Sequence, residues 1–294
     1  MNIRDLKYLV AVAKYRNFTL ASEHCCVTQP TLSGQIKKLE ENLGVQIFER
    51  TNKKVLPTAV GELIIASAQR VLSEANHIND IAEAAKDPLS GSFRLGAFPT
   101  LATYIFPMLV NPIKAGMPNL KLILLEEKTD DLIKKLEQGE IDCALLALPV
   151  HNDLFYSQKL FDDDYLLAVN KAHELANLSE VDQSALQNRR LLLLEEGHCM
   201  RDQALDICGL VGASEEADFR ATGLETLRQM VKVGAGVTLI PEIACIKNDP
   251  EISYIPFAAP RPKRTIGIVW RKTLFKTSVI EELIKITGKL KQVN

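Results

Sequence analysis

From Ser92 onward, short apolar segments alternate with stretches of helical periodicity, and this alternation limits the possible folds more than any other feature. The segments with the composition of strands are residues 93–97, 120–125, 141–148, 165–169, 190–194, 236–240 and 265–270. Helical patterns lie between them, at residues 100–115, 129–138 and 224–233. Strands that alternate with helices are typical of a mostly parallel α/β sheet. We therefore expect an α/β domain over residues 92–294.

The first 58 residues have a different pattern, in which helices are packed closely along the chain. An apolar stripe predicts a helix over residues 3–15, and Thr19 is a candidate cap for a short second helix. Thr28 and Pro30 predict the start of a third helix, which should stop at Gly44. A short helix, a turn and a longer helix with a polar leading end form a helix-turn-helix, whose second helix enters the major groove of DNA.

The candidate DNA-contacting residues lie at the start of that third helix and in the segment after it. Those on the helix are Thr28, Gln29, Pro30, Thr31, Ser33, Gln35 and Lys37; polar side chains of this kind can hydrogen-bond to base edges. Residues 48–57 form two short extended pieces around a basic turn, which is the pattern of a wing. Arg50, Lys53 and Lys54 would contact phosphates there without reading sequence. A Lys-Lys turn alone is more often a solvated loop, but its place after a helix-turn-helix favours the wing.

The distribution of charge supports nucleic-acid binding by the first segment. Residues 1–58 carry nine Lys and Arg against five Asp and Glu, a net charge of +4, whereas the whole chain carries −2. The remainder therefore carries −6. A basic module joined to an acidic body is typical of a chain whose first segment alone contacts DNA.

A long helix should follow, with Thr58 as its cap. Its apolar residues alternate in steps of four and three, and we call them the heptad seam: Ile64, Ala68, Val71, Ala75, Ile78, Ala82 and Ala85. A regular seam is typical of a helix that pairs with another helix. We expect residues 59–87 to dimerise the protein and residues 88–91 to form a hinge. The alternative is that the seam packs against its own domain.

Residues 197–208 look chemically reactive. Cys199 lies between His198 and the basic Arg201, and Cys208 follows nine positions later. The spacing of Met200, Ala204, Leu205 and Cys208 predicts a helix after Cys199, with Arg201, Asp202, Gln203 and Asp206 on its outer side. A thiol at a helix N-terminus beside basic residues should be partly thiolate at neutral pH.

The nine-residue separation links any disulfide here to a conformational change. In a helix it places the two thiols about 13 Å apart along the axis. A disulfide needs Cα atoms within about 7 Å. Closing the pair would therefore unwind the helix. The other cysteines, Cys25, Cys26, Cys143 and Cys245, are expected to be small buried hydrophobes.

Several classes of protein are disfavoured. The chain has no Walker A loop, no GxGxxG after a strand, no HExxH and no GxSxG, so we do not expect an enzyme or a cofactor. His198, Cys199 and Cys208 lack the further ligands of a structural zinc site, so we expect no metal. No apolar run approaches about 18 residues and the start has no signal-peptide pattern, so we expect a cytoplasmic protein without a membrane partner. A cysteine bridge there is more often transient than structural.

Thr100 and Thr129 each follow an apolar strand pattern, where α/β sheets commonly bind ligands. Each residue could instead be a plain helix N-cap.

Residues 18–50 carry a specific resemblance. Their Ala21, Gln29, Pro30, Ser33, Ile36, Leu39, Glu40, Gly44, Phe48 and Arg50 match the pattern of the LysR-type transcriptional regulators. The resemblance covers the whole chain. It implies a winged helix-turn-helix, a long linker helix and a two-lobed α/β effector domain similar to periplasmic binding proteins. The segments LLLLEEGHCMRDQALDIC and FRATGLETLRQMVKVGAGVTLIP resemble the hydrogen-peroxide sensors of that family very closely.

The resemblance also implies roles for individual residues. Cys199 would be the peroxidatic thiol and Cys208 the resolving one, in a pocket shaped by Thr100, Thr129, His198 and Arg264 with support from Arg201 and Asp202. The implied partners of such an activator are double-stranded DNA, hydrogen peroxide, a thioredoxin- or glutaredoxin-type reductant and RNA polymerase. The implied assembly is a homotetramer, a dimer of dimers. The alternatives are a LysR-type regulator that answers to a small metabolite, with incidental cysteines, and a thiol peroxidase.

Overall fold

The structure, a computed structural model, describes residues 1–50, 55–187, 189–196, 200–201, 203–205 and 214–290. The chain forms two compact units. The first contains Met1–Lys86 and Gln138–Glu140, and the second contains Asp87–Glu137 and Ile141–Asn294.

The first unit begins with three helices, α1 (Ile3–Tyr15), α2 (Phe18–His24) and α3 (Gln29–Leu43). The helix predicted over residues 3–15 is confirmed. The Thr28 side chain accepts from the Thr31 amide, and Gly44 ends α3 in the left-handed conformation, so both predicted ends of α3 are confirmed. Thr19 as the cap of α2 is wrong. Asn17 takes that role because its side-chain Oδ1 accepts from the amides of Thr19 and Leu20, and the helix begins two residues earlier than predicted.

The strands β1 (Phe48–Arg50) and β2 (Val55–Pro57) form the predicted antiparallel pair. The turn between them, with Lys53 and Lys54, lies outside the described residues, as does the side chain of Arg50. Glu40 of α3 fixes the start of the pair, since its Oε1 accepts from the amides of Ile47 at 2.9 Å and Phe48 at 3.1 Å. The Glu40 carboxylate therefore links α3 of the helix-turn-helix to the start of the wing strands.

The long helix α4 (Ala59–Ala84) follows, and Thr58 caps it as predicted, with its Oγ1 accepting from the Gly61 amide at 2.9 Å. A Cβ at Gly61 would lie 2.1 Å from the Ile47 carbonyl oxygen, so only glycine allows this approach. The heptad seam divides into two parts. Ala68 is buried with Ile65 in the core of the first unit, whereas Val71 is 45% and Ile78 69% exposed.

The second unit contains nine strands and four helices of regular α type among the residues described. The strands are β3 (Gly91–Ala97), β4 (Leu120–Glu126), β5 (Cys143–Leu148), β6 (Phe155–Asn170), β7 (Arg190–Leu194), β8 (Ser214–Ala221), β9 (Thr238–Pro241), β10 (Ile252–Pro256) and β11 (Lys263–Arg271). The named helices are α5 (Pro99–Gly116), α6 (Thr129–Gln138), α7 (Leu224–Lys232) and α8 (Thr277–Leu290). The residues described between 200 and 205 are also helical, and Gln183–Leu186 and Glu242–Ala244 form short 3-10 helices.

The main sheet has the order β10-β6-β11-β5-β3-β4, with β9 also paired to β6. The expected α/β fold is confirmed, but the mostly parallel sheet is wrong. β3 runs parallel to β4 and β5, and β7 runs parallel to β8, whereas β11 is antiparallel to both its neighbours and β6 is antiparallel to β9 and β10. The reason is that β6 leads from one part of the domain to the other and β11 leads back, so these two strands must run in opposite directions.

Two separate apolar cores define two lobes of this unit. The first lobe is built around β3, β4, β5, α5 and α8, and the second around β7, β9, β10 and α7. The 16-residue strand β6 enters both cores, through Phe155 in the first and Tyr165 to Val169 in the second. Its edge therefore passes directly from one lobe to the other.

Candidate functional site and family

Thr100 and Thr129 lie at the same edge of the sheet. β3 and β4 are parallel neighbours, Ala97 pairs with Glu126, and the Glu127 amide donates to the Ala97 carbonyl at 3.3 Å. Each threonine follows three residues after its member of that pair. The carboxyl ends of the two strands therefore bring both helix starts together, which is where ligands bind in α/β sheets.

Arg264 forms hydrogen bonds to Thr100 at this edge. The guanidinium is buried, and Nη1 donates to Thr100 Oγ1 at 2.9 Å while Nη2 donates to the Thr100 carbonyl at 3.2 Å. Asp163 Oδ2 accepts from Nε at 2.9 Å and lies 2.8 Å from Nη2, which balances the buried charge. Among the described residues, Arg264 donates three hydrogen bonds, one each from Nε, Nη1 and Nη2, besides its ion pair with Asp163. Arg264 lies inside β11, not ahead of the strand as predicted.

The two threonine hydroxyls are both placed to act on a ligand. Because Thr100 Oγ1 accepts from Arg264, its own hydrogen is left to donate. Thr129 Oγ1 is buried and has no hydrogen-bond partner among the residues that the structure describes. Thr100 as a plain N-cap is wrong, since Phe98 holds that position in α5.

One described flank of the cysteine segment, Glu195 and Glu196, meets this edge. Lys128 Nζ donates to Glu195 Oε1 at 2.9 Å and to the Glu196 carbonyl at 3.1 Å. The Glu195 amide donates to the Ala221 carbonyl, which fixes the end of β7 against β8. His198, Cys199, Asp202 and Cys208 lie outside the described residues.

The helix predicted after Cys199 is confirmed at residues 200–201 and 203–205. Met200 and Ala204 are buried, as their spacing predicted. Arg201 on the outer side is wrong: only 7% of it is exposed, and its Nη1 donates to the Leu194 carbonyl at 3.0 Å. A long guanidinium side chain can satisfy a strand-end carbonyl that an apolar residue cannot. Gln203 is also held, because its Oε1 accepts from the Tyr165 hydroxyl at 2.6 Å.

The remaining cysteines have free thiols in different surroundings. Cys143 is fully buried, and desolvation raises the pKa of its thiol well above the usual value. Burial raises the pKa of half-buried Cys245 to about 12. Cys25 is half-buried, and burial followed by the charge of Cys26 raises its pKa. Cys26 as a buried hydrophobe is wrong, since it is exposed at a turn with a φ of 54°.

The candidate DNA-contacting side chains of α3 form a mostly open surface. Thr28, Gln29, Pro30, Thr31 and Lys37 are exposed, and Ser33 and Gln35 are half-buried. Lys37 Nζ lies 3.8 Å from Glu41 Oε1, a weak pair that phosphate could replace.

The described part of the chain offers neither a metal cluster nor a membrane-spanning helix. No group of three or more His, Cys, Asp or Glu side chains could hold a metal ion within the described ranges. No helix in that part of the chain is long and apolar enough to cross a membrane.

Two family models match the chain and cover most of it. Residues 3–62 match "Bacterial regulatory helix-turn-helix protein, lysR family", and residues 86–290 match "LysR substrate binding domain". The chain belongs to the LysR family. This LysR-family chain has the helix-turn-helix and the α/β effector lobes that its sequence predicted.

Known relatives place it more narrowly. The "DNA-binding transcriptional dual regulator OxyR" of Escherichia coli K12 is 44% identical over 273 residues, covering 92% of this chain and 90% of that protein. Full-length OxyR C199D from Pseudomonas aeruginosa is 37% identical with a TM-score of 0.79, covering 98% of both chains. A hydrogen-peroxide-bound cysteine mutant of Corynebacterium glutamicum OxyR is 30% identical with a TM-score of 0.68, covering 99% of this chain and 92% of that one. The OxyR regulators are therefore the group that this LysR-family chain resembles.

Proposed function

We propose that this chain is a DNA-binding transcriptional regulator that senses hydrogen peroxide through a reversible Cys199–Cys208 disulfide. The observation that carries the proposal is the meeting of three features at one edge of the sheet. These are the Arg264-bound Thr100, the Thr129 hydroxyl, which has no partner among the described residues, and Glu196, which precedes the cysteine segment. The names of the relatives support the choice of oxidant.

The proposed chemistry has two steps. The Cys199 thiolate attacks one peroxide oxygen, the O–O bond breaks, and the departing hydroxide takes up a proton to leave as water, so that Cys199 becomes a sulfenic acid. The Cys208 thiolate then attacks the Cys199 sulfur and displaces hydroxide, which leaves as a second water when the Cys208 proton is counted. A dithiol reductant of the thioredoxin or glutaredoxin type returns both cysteines to thiols.

The described residues act on the peroxide and not on the sulfur. Three hydrogens can be donated to the peroxide oxygens. Two belong to the hydroxyls of Thr100 and Thr129, and the third is the remaining Nη1 hydrogen of Arg264. Donors fixed in a dry site stabilise the charge that develops on a leaving oxygen. Arg264 acts on the peroxide mainly as a hydrogen-bond donor, because Asp163 already balances its charge.

The partners follow from the two units. The α3 surface and the wing bind double-stranded DNA, and the exposed part of the heptad seam joins two chains, which pair again into a homotetramer. An activator of this kind contacts RNA polymerase. The protein is a stoichiometric sensor, not an enzyme.

A peroxide titration of the reduced full-length protein, with mass-spectrometric mapping of disulfides, tests the proposal. We expect about one peroxide to be consumed per subunit and a Cys199–Cys208 bridge to form. Cys199→Ser should abolish the reaction, and Cys208→Ser should stop at the sulfenic acid and then drift to irreversible oxidation. Continuous turnover would indicate a thiol peroxidase. A DNA-binding response to a metabolite but not to peroxide would indicate the other alternative.

A further inference from the structure

Lys128 joins two parts of the effector unit that have separate cores. It lies in the connection between β4 and α6 of the first lobe, and its carbonyl accepts from the Leu132 amide at 3.0 Å in the first turn of α6. Its Nζ reaches Glu195 and the Glu196 carbonyl, directly after β7 of the second lobe. The backbone of Lys128 is thus fixed in one lobe while its ammonium holds the other.

The other lysines nearby form pairs inside the first lobe. Lys135 lies 3.6 Å from Glu127, and Lys134 lies 3.7 Å from Asp131. Among the described contacts of this connection, the link to Glu195 and Glu196 is made by Lys128.

The position of this link relates it to the reacting groups. Lys128 directly precedes Thr129, whose buried hydroxyl lacks a described partner, and Glu196 precedes Cys199 by three residues. On the other flank, Arg201 and the buried Met200 attach the segment to the second lobe. Among the described contacts, one flank is therefore attached to the lobe that carries Thr100 and Thr129, and the other flank is attached to the second lobe.

We propose that Lys128 is a positioning residue for the peroxide reaction: by holding Glu195 and Glu196 it sets the approach of Cys199 to the hydroxyls of Thr100 and Thr129. This inference rests on the proposed function. Both side chains of the pair are 38% exposed, so solvent screens it and it contributes little to the stability of the domain. Its contribution is geometric, because small displacements of reacting groups slow a reaction far more than they destabilise a fold.

The test measures the rate of Cys199 oxidation by hydrogen peroxide in the reduced full-length protein, under single-turnover conditions. Lys128→Met, which keeps the length but removes the charge, should slow the reaction by about fivefold to tenfold. Lys128→Arg should restore the rate to within about twofold, because a guanidinium also donates to a carboxylate and a carbonyl. The matched control is Lys135→Met, which removes an ion pair from the same lobe and should leave the rate unchanged.

Two further measurements separate positioning from a general disturbance. Alkylation of Cys199 by iodoacetamide needs the thiolate but not the peroxide donors, so Lys128→Met should leave its rate and pH profile unchanged. Raising the salt concentration to about 0.5 M should slow the wild-type protein towards the Lys128→Met rate but leave that variant unaffected, because salt screens the exposed pair.

The inference is overturned if Lys128→Met oxidises at the wild-type rate, if Lys135→Met loses as much, or if alkylation slows in the same proportion. The proposed function fails on a different result, namely a peroxide response that survives Cys199→Ser in the otherwise unchanged chain.

Discussion

At the scale of single residues, Arg264 determines how the site is held together. It is a completely buried guanidinium that reaches across 164 positions of sequence to Thr100 and 101 positions to Asp163. Its surroundings are also aromatic, since its guanidinium carbon lies 5.3 Å from the centre of the Phe98 ring. Such a group is stable only while its carboxylate partner remains charged.

Asp163→Asn should therefore destabilise the effector domain more than most polar changes. It leaves the buried cation uncompensated, which costs about 3–5 kcal/mol. Chemical denaturation gives the free energy of unfolding. The matched control is Asp164→Asn, next in the chain, whose carboxylate lies 3.7 Å from the half-exposed Arg261 and should contribute less than about 1 kcal/mol. Equal losses in both variants would contradict this account of the ion pair.

The four cysteines that the structure describes should react with iodoacetamide in a fixed order relative to one another. Only the thiolate reacts, and a pKa raised to about 12 leaves Cys245 almost entirely protonated at pH 8. Cys26 is exposed and should be alkylated first, followed by the half-buried Cys25, whereas Cys143 should react only when the protein unfolds. The rate at Cys245 should rise as the pH rises towards 12. Peptide mapping at successive times checks the order, and early labelling of Cys143 would contradict it.

Residue patterns predicted the ends of α3 and the burial of Met200 because caps and helical periods depend on neighbours in sequence. They could not predict Asp163, Tyr165 or Lys128, because each of these residues acts on a partner brought close only by the folded sheet. The same limit explains why the prediction for Arg201 is wrong. Its charge favours the outer side of a helix, but in the fold its guanidinium donates to the Leu194 carbonyl and is buried. The sequence gives no sign of that carbonyl.

At the scale of elements, α3 and the wing should have separate effects on DNA binding. Alanine at Ser33 or Gln35 should weaken binding to the specific site more than to random duplex, since a good base contact contributes roughly 1–3 kcal/mol of discrimination. Alanine at Lys53 or Lys54 should weaken both equally and reduce the salt dependence. Titrations with both duplexes at several salt concentrations measure this. If Ser33→Ala or Gln35→Ala weakened binding to the specific site and to random duplex in equal proportion, α3 would not be the element that reads bases in the groove.

The exposed part of the heptad seam should hold two chains together. Val71 and Ile78 are open to solvent in the single chain, so replacing both with Asp places like charges in a helix pair and should dissociate the dimer while both units stay folded. Sedimentation gives the mass. Arg70→Gln with Asn76→Asp makes the same change in net charge at exposed polar positions of α4 and serves as the control. A double Asp variant of unchanged mass would show that α4 packs elsewhere.

The strand patterns predicted only the apolar end of β6. Residues 165–169 are mostly apolar and lie in the second core. The first part of the strand instead has the polar sequence YSQK and an acidic run, Asp162 to Asp164. Those residues are strand because β11 pairs with them, not because they are apolar. β8 was missed for a related reason, since its sequence SEEADFRA has few apolar residues.

At the scale of the whole molecule, oxidation should change the helix at residues 200–205. A helix that spans both cysteines holds their Cα atoms too far apart for a bridge, so we expect amide exchange at these residues to rise or move to a new pattern when peroxide is added. Mass spectrometry of exchange in the two redox states measures it, and Cys208→Ser treated with peroxide should keep the reduced pattern. Superimposable profiles in a protein shown to carry the Cys199–Cys208 bridge would leave the disulfide without a switching role.

The continuity of β6 limits how the effector domain can move. Along β6, the pairing with β11 extends to Asp164, opposite Lys263, and the pairing with β9 begins at Tyr165, opposite Pro241. The ladder therefore has no gap where the strand passes between the lobes. Bending the lobes towards each other would break backbone hydrogen bonds of the β6 ladder, whereas unwinding the short helix that follows Cys199 would break only the bonds of that helix. The radius of gyration of the effector domain should then be nearly the same in both redox states. We therefore expect oxidation to change a local surface of the effector domain without moving its lobes. The contacts between subunits would then transmit the signal.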